Sequence, residues 1–246
     1  GVVVKSPTSH PFDEDGAKGY IRGEGMGTIV LRRLADAEQR GDRILCKVLR
    51  AIAASAGPSD NALEGPGRIY EQPCPFGMRE MFSRVYKCAG VPLGKLHYME
   101  CHATGTAVGD VIELQAIGDV FGDSHDLKAN PLRIASVKSN IGHAEVAAGI
   151  FSVIKIVQMM KHRTFLPSAG VTCPRKDFEW IKNNMVVQQE LEPFPDNEPV
   201  TVGVNSFGIG GAYGHVVMQE YKRPVAVRRN LLTSASSVGA LAVEEA

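Results

Sequence analysis

The sequence predicts an α/β fold with a mixed sheet, and three observations carry that prediction. From residue 96 onward, short apolar β-prone runs alternate with longer runs of helical spacing. Glycines stand just past the ends of helix-like runs, as Gly41 and Gly90 do. Near the C-terminus two apolar runs, Val200 to Phe207 and Ala212 to Gln219, flank Gly208-Ile209-Gly210-Gly211 in the manner of a hairpin.

Taken in order, residues 1–27 are turn-rich, with Pro11-Phe12-Asp13 and Gly19, Gly23, Gly25 and Gly27. Thr28 to Leu31 reads as a buried strand, Leu34 to Arg40 as a short helix, and Ile44 to Ala54 as a second strand. The proline- and glycine-rich stretch 55–75 reads as a loop, and Phe76 to Ala89 as a helix. Leu96 to Cys101 and Leu132 to Val137 are strand-like. Gly109-Asp110 opens a helix that runs to Phe121, with Asp110 as its expected cap. Ala144 to Lys161 reads as a long apolar helix. Its Ala147-Ala148-Gly149 stretch has so little bulk that another element is expected to approach closely. From Pro224 the chain has no clear period and reads as a linker or frayed end.

Composition narrows the function classes. The 246 residues are 44% hydrophobic and 22% charged, ordinary values for a globular protein. Lys plus Arg and Asp plus Glu number 27 each, so the zero net charge gives no global argument for nucleic acid or an anionic membrane surface. No apolar run reaches the roughly 18 residues a membrane-spanning helix needs. The five cysteines (Cys46, Cys74, Cys88, Cys101 and Cys173) are odd in number and form no Cys-x-x-Cys pair, which argues for a reduced protein rather than a disulfide scaffold or zinc site. Gly1-Val2-Val3-Val4-Lys5 has neither an initiator Met nor a signal-peptide layout, and the chain is expected to be a piece of something longer.

Chemistry concentrates in two histidine-centred runs: Glu100-Cys101-His102-Ala103-Thr104-Gly105-Thr106 and Lys138-Ser139-Asn140-Ile141-Gly142-His143-Ala144-Glu145. Each sets an imidazole between a strand-like and a helix-like stretch, where free backbone N–H groups also lie. Two such imidazoles aimed at one point can hold a developing oxyanion, which points to carbon–carbon or acyl-transfer chemistry. The helix start behind His143 favours its neutral form. Lys138 ends an apolar strand, and Glu145 is either a first-turn residue or a partner for Lys138. Other readings carry less. A lone histidine is most often a satisfied core residue, but the hydroxyls and glycine of Thr104-Gly105-Thr106 suit a polar substrate arm. Successive strand residues point to opposite faces, so Cys101 diverges from His102 and is a buried filler, not a nucleophile. His102, Asp110 and Glu113 are irregularly spaced for a metal site, and none is expected. The glycine turn lacks the Lys-Ser/Thr of a phosphate loop.

Five motifs, in order, resemble the β-ketoacyl synthase (ketosynthase) domains of polyketide synthases and the related fatty acid synthases. They are Pro11-Phe12-Asp13, Gly19 to Gly25, Glu100 to Thr106 with Gly109-Asp110 and Glu113, Ser136 to His143, and Asn205-Ser206-Phe207-Gly208, together spanning roughly residues 10–221. The resemblance implies a thiolase-like αβαβα sandwich of which this chain holds mostly the C-terminal half. It divides the chain into residues 1–50, closing the N-terminal half, 51–221, the C-terminal half, and 222–246, a linker or disordered tail.

It also implies an acyltransferase that condenses an acyl thioester with a malonyl-type unit by decarboxylation. His102, His143 and Lys138 would be catalytic. Thr104, Thr106, Phe207, Gly208 and Ile209 would line the substrate and phosphopantetheine site, with Glu100, Glu145 and Asn140 behind them. The family nucleophile, a cysteine upstream of the Pro-Phe-Asp motif, matches none of the five here, so the chain alone is expected to be inactive. The resemblance implies no metal or redox cofactor and no nucleic acid. The substrate carrier is the phosphopantetheine arm of an acyl carrier protein. The other implied partners are further synthase domains, the N-terminal ketosynthase half and a second subunit. The compartment is cytoplasmic, or a plastid.

Departures from the family pattern are local. Cys101 and Ala103 stand for the usual Ala and Gly, a change tolerated where φ at Ala103 is negative. Ile209 replaces a Phe that gates the acyl pocket. Ala212-Tyr213-Gly214 replaces Thr-Asn-Ala before His215, and residues 57–75 lack the usual Asn-Gln-Asp-Gly-like turn. These departures keep open a non-condensing relative that only decarboxylates or binds acyl groups or carrier protein. A thiolase acting on coenzyme A esters is disfavoured, because no Cys-x-Gly lies near the C-terminus.

Overall fold

The computed structural model describes residues 9–15, 18–55, 74–208, 210–223 and 239–243. β1 (Leu31–Arg33) leads directly into α1 (Leu34–Arg40), which ends on Gly41 at φ 71°. β2 (Arg43–Ser55) follows, then α2 (Pro75–Ala89), with Pro75 at its start and Gly90 at φ 64° closing it. The central alternation is β3 (Tyr98–Glu100), α3 (Gly109–Phe121), β4 (Leu132–Ala135), the single turn α4 (Lys138–Ile141) and α5 (Ala148–His162). Short strands β5 (Thr164–Phe165), β6 (Met185–Val187) and β7 (Glu192–Pro193) precede the long pair β8 (Thr201–Gly208) and β9 (Ala212–Glu220). A final strand, β10 (Gly239–Val243), closes the order.

Eight strands form one mixed sheet in the order β1-β10-β2-β9-β8-β3-β4-β6. The expected hairpin is present: β8 and β9 pair antiparallel from Thr201–Gln219 to Gly208–Ala212, and Gly210 and Gly211 sit at φ 83° and 80°, where residues with side chains are strained. β9 pairs antiparallel with β2, while β8, β3, β4 and β6 run parallel, as connections through α3 and α5 require.

The two-residue period of the strands sorts side chains between two cores. Met99, Cys101, Tyr213 and Val217 face α2 and α3, joining Phe82, Tyr86, Leu114, Ile117 and Phe121. Tyr98, Val202, Val204 and Met218 face α5, joining Ile156, Met160 and Phe165. The layers are thus helices, sheet and helix, and the strand ends β3 and β4 open toward the two histidines.

Four expectations need correction. Thr28 to Leu31 is not a buried strand. β1 begins at Leu31 and is half exposed, with Val30 48% accessible. The preceding segment instead lies along α5, where a Cβ on Gly25 would be 2.6 Å from the Phe151 ring and one on Gly27 2.8 Å from Ile154. A domain boundary at 50/51 falls inside β2, whose pairing with β9 runs from Cys46 to Ser55 and commits both sides to one sheet. Within the expected 222–246 tail, Gly239–Val243 forms β10, parallel to both β1 and β2. Two-sided pairing, not periodicity, makes this short run of small residues a strand. The last helix starts at Ala148, after a separate 3-10 turn at Glu145–Ala147. The expected close approach is there: a Cβ on Gly149 would be 2.8 Å from Ser206 Oγ. The loop expected over 55–75 falls largely outside the described residues.

Candidate active site

His102 leaves the end of β3 and His143 follows α4, so adjacent parallel strands deliver both to one edge of the sheet. Their rings meet edge to face at 5.4 Å between centroids, and the Phe207 ring lies 5.5 Å from His102 on the other side. The two imidazoles are held alike. The Phe207 N–H donates to His102 Nδ1 at 3.1 Å, and the Glu145 N–H donates to His143 Nδ1 at 2.9 Å. A neutral ring that accepts at Nδ1 carries its hydrogen at Nε2. Burial, then the Lys138 charge, pushes both histidines below their ordinary range, His102 further, so both are neutral Nε2–H donors at neutral pH.

The backbone around each histidine is pinned separately. Residues 102–106 present five successive N–H groups, and two carboxylates of α3 take them all. Glu113 accepts from His102 and Ala103, each at 2.8 Å, and Asp110 Oδ1 accepts from Thr104, Gly105 and Thr106. Asp110 Oδ2 also accepts the N–H of Phe12, itself at φ 66°, which ties the Pro11-Phe12-Asp13 motif to the threonine loop. Asp110 is therefore a loop clamp and not the helix cap expected of it, and α3 has no side-chain cap. Burial raises Glu113 to about 7 against the opposing hydrogen bond from Asn205. With these carboxylate oxygens committed to amides, they do not converge with His102 as metal ligands, and no group of three or more metal-ligating residues forms among the described residues.

His143 rests on the glycine-rich segment. Its N–H donates to Ile21 O at 2.6 Å, and its carbonyl accepts from Gly23 N at 2.9 Å. A Cβ on Gly23 would stand 2.2 Å from Ile141 O, so this contact requires glycine. Ala103 is absent from the residues with positive φ, meeting the condition for replacing glycine there.

Lys138 is 1% exposed and its ammonium is pulled down by burial while the charges of Glu100 and Glu113 oppose that pull. Glu100 is fully buried. It accepts from the Val137 N–H and the Tyr98 hydroxyl and pairs with Lys155 Nζ at 2.7 Å, a partner the sequence reading did not name. Thr104 Oγ1 donates to Thr106 Oγ1 at 3.4 Å, beside the histidines. Gly208 closes β8, while Ile209 lies outside the described residues. Two expected roles change. Glu145 pairs with Arg22 at 3.6 Å and accepts from the Tyr20 hydroxyl, so it is no partner of Lys138 and serves His143 through its backbone. Asn140 is exposed, and its amide oxygen takes the Ser139 hydroxyl.

Cys101 points away from His102: its Sγ donates to Met99 O at 3.9 Å, and burial pushes the thiol well up, against nucleophilic use. Sequence reading missed the contacts made by Asp110, Glu113 and Asn205. The three-residue spacing of Asp110 and Glu113, which puts both carboxylates on one helix face, was the available signal.

The chain matches known proteins over most of its length. The profile of the beta-ketoacyl synthase C-terminal domain matches residues 59–172, and that of the ketoacyl-synthetase C-terminal extension matches 174–242. The chain is 35% identical over 237 residues to the reducing polyketide synthase DEP5 of Fusarium langsethiae, covering 96% of this chain and 10% of that protein. It is 39% identical over 208 residues to probable polyketide synthase 17 of Dictyostelium discoideum, covering 83% and 8%. Among solved structures it is similar to the ketosynthase from module 6 of the bacillaene synthase from Bacillus subtilis 168, with TM-score 0.76 and 33% identity over 89% of this chain and 38% of that one. Ketosynthase twelve of the bacillaene polyketide synthase in Bacillus amyloliquefaciens gives TM-score 0.80 and 26% identity over 91% and 38%. The chain therefore spans about a tenth of such synthases and under two fifths of the solved ketosynthase chains.

Proposed function

The chain belongs to the β-ketoacyl synthase family, as the C-terminal portion of a polyketide synthase ketosynthase with the thiolase-like fold, and from that premise we propose how its site contributes to decarboxylative Claisen condensation. The observation that supports this reading is the pair of neutral imidazoles, His102 and His143, each fixed as an Nε2–H donor.

A malonyl-type thioester loses carbon dioxide by breaking the bond to its carboxyl carbon. The electron pair moves through the α-carbon, leaving an enolate whose negative charge rests on the thioester oxygen. Two neutral N–H donors stabilise that charge as it forms, without giving up a proton. The enolate carbon then attacks an acyl thioester carbonyl, forming the new carbon–carbon bond and expelling the thiolate. The buried Lys138 ammonium adds positive potential behind the histidines in a poorly screened interior. In this reading Thr104 and Thr106 meet the phosphopantetheine arm of an acyl carrier protein, and Phe207 and Gly208 wall the acyl side.

The thioester-bearing cysteine is none of the five in this sequence, and the chain alone is inactive in condensation. The remaining partners in this reading are the N-terminal ketosynthase half, the other synthase domains and a second subunit. Among the described residues no helix is long and apolar enough to cross a membrane.

The test is made in the complete synthase polypeptide that carries this chain, supplied with a malonyl thioester on its carrier protein. His102→Ala and His143→Ala should each slow release of carbon dioxide by about 10²–10³, the typical loss for one oxyanion donor. Unchanged release in both variants would overturn the reading. Normal release without a condensed product in the parent protein would instead select the non-condensing alternative, which the replacement of Thr-Asn-Ala by Ala212-Tyr213-Gly214 favours. There the Tyr213 ring packs 5.1 Å from Phe207 and its hydroxyl accepts the Cys74 N–H.

A further inference from the structure

The β8–β9 hairpin sets Asn205 directly opposite His215, on the face toward α2 and α3. Both are fully buried, as are Tyr86 at 1% and Glu113 at 2% exposure. The four side chains form one continuous series. The Tyr86 hydroxyl lies 3.3 Å from His215 Nε2, and His215 Nδ1 lies 2.5 Å from Asn205 Oδ1. Asn205 Nδ2 donates to Glu113 Oε1 at 2.8 Å, and the same oxygen accepts the His102 N–H at 2.8 Å.

The donor and acceptor inventory gives this series a single direction. An amide oxygen only accepts, so His215 Nδ1 must carry its hydrogen and donate to Asn205. The neutral ring then has its lone pair at Nε2, and Tyr86 must be the donor there. Burial holds His215 neutral, pushing it down to about 3. Space for the series is made by Gly203: a Cβ there would stand 2.7 Å from the Tyr86 hydroxyl oxygen and 2.8 Å from His215 Cε1.

We infer that His215 is a positioning residue of the site: fixed in one tautomer by Tyr86, it sets the amide orientation of Asn205, which fixes the Glu113 carboxylate under the backbone of His102. The inference rests on the reading of this site as a decarboxylating centre and deepens it. Without the His215 N–H, only Glu113 distinguishes the two ends of the Asn205 amide, and burial, by raising Glu113 to about 7, weakens that discrimination. A flipped amide turns its oxygen on the Glu113 carboxylate, and the carboxylate loses the donor that opposes its burial. The His102 backbone then shifts, and the imidazole with it. A role in packing alone would require volume and not donor placement, which is the difference the test exploits.

Three variants of the complete synthase separate these roles. Tyr86→Phe removes only the hydroxyl. His215→Gln places an amide near the Nε2 position and leaves Asn205 without its donor. His215→Asn places an amide nitrogen near the Nδ1 position and restores that donor. With a malonyl thioester on the carrier protein, Tyr86→Phe and His215→Gln should lower kcat for carbon dioxide release about tenfold or more, the scale of an ångström-level misplacement, with KM nearly unchanged. His215→Asn should recover most of the loss, and ¹⁵N spectra of Tyr86→Phe should show His215 in both tautomers. The inference is overturned if folded Tyr86→Phe and His215→Gln proteins keep the parent kcat, or if His215→Asn is no better than His215→Gln. Should His215→Gln fail to fold, Tyr86→Phe decides alone. The two failures are separable: His102→Ala without effect removes the reading of the site, while an effect of His102→Ala alone removes only the role of His215.

Discussion

The Phe207 backbone N–H donates to His102 Nδ1 at 3.1 Å, and this contact leaves the hydrogen of the neutral ring on Nε2. β8 thereby orients the imidazole through its own backbone, independently of the residue at 207. A side chain that places an N–H where Nε2 stands should therefore replace His102 in part. The amide nitrogen of glutamine lies near that position, while that of asparagine lies near Nδ1. We expect decarboxylation by His102→Gln to exceed that by His102→Ala and His102→Asn by about tenfold, part of the 10²–10³ carried by one oxyanion donor. Equal rates in the three variants would show that the imidazole is not acting as an Nε2–H donor.

A pH profile should separate the histidines from Glu113. Burial depresses His102 and His143, so each stays mostly neutral as pH falls to 6.5. Glu113, raised to about 7, does gain a proton, and the oxygen that is protonated gives up its charged acceptor role toward the backbone N–H of residue 102 or of residue 103. The groups facing it are Asp110 on its own helix, Asn205 from β8, Cys101 beyond β3 and Lys138 from α4. Carbon dioxide release by the complete synthase should fall on the acid side of about pH 7, and Glu113→Gln should be slower but flat through that range. A Glu113→Gln profile that keeps the acid limb would assign it elsewhere.

Much of this arrangement was legible in the sequence, for identifiable reasons. His102 and His143 announce themselves because each interrupts the change from an apolar strand run to a helical one. The β8–β9 hairpin is visible in two apolar runs around Gly208 to Gly211, and counting outward from that turn pairs Asn205 with His215. What stayed hidden is long-range pairing of polar groups. Nothing local shows that Lys155, inside an apolar helix, meets Glu100, or that Asp110 serves a loop rather than its own helix end. β10 was hidden because its partners, β1 and β2, lie about 200 residues earlier, and a run of small residues carries no period to read.

Stability should carry the mark of His215. Its pKa is about 3 in the folded chain and 6.5 when exposed, so between those values the unfolded state holds one more proton. Folding stability contributed by this residue is therefore complete above pH 6.5 and is lost as pH falls toward 3, at about 1.4 kcal/mol per pH unit. Glu113 works oppositely between 4.5 and about 7, where the folded state holds the extra proton and stability declines as pH rises. His215→Phe, which fills the space beside Phe82 without titrating, should remove one proton from the slope of unfolding free energy against pH below 6.5. Denaturant titrations at several pH values measure it, and an unaltered slope would mean that His215 is protonated in the folded chain.

Gly23 offers a test of how tightly His143 is held. Its added Cβ would overlap Ile141 O at 2.2 Å, a backbone atom that cannot move without moving the turn before His143. Gly23→Ala should cost about 1–3 kcal/mol, the usual range for forced overpacking. It should also reduce decarboxylation more than its loss of stability explains, because the displaced turn carries the imidazole. Thermal unfolding and initial rates below the transition separate the two effects. A folded Gly23→Ala protein with parental kcat would show that the turn moves independently of His143.

The buried Glu100–Lys155 pair should behave as a unit. Lys155 is 8% exposed and Glu100 is fully buried, so neither charge is well hydrated. Removing the ammonium leaves a carboxylate that still accepts from Val137 N–H and Tyr98 hydroxyl but has lost its 2.7 Å charged donor. Lys155→Met should therefore destabilise by about 3–5 kcal/mol, whereas Lys155→Met combined with Glu100→Gln should recover a large part of that loss. In the double variant the glutamine oxygen still accepts from the Val137 N–H and its amide nitrogen can donate to the Tyr98 hydroxyl oxygen, and methionine keeps the apolar stem that packs beside the Tyr98 ring, over which Lys155 Nζ sits at 5.5 Å. The pair also faces Lys138, whose ammonium the Glu100 charge favours. Neutralising Glu100 should therefore lower decarboxylation even where folding is restored. A double-mutant cycle on stability, read beside kcat, measures both. Additive stability losses in the cycle would refute coupling between the two charges, and a restored kcat in the double variant would show that Lys138 does not depend on Glu100.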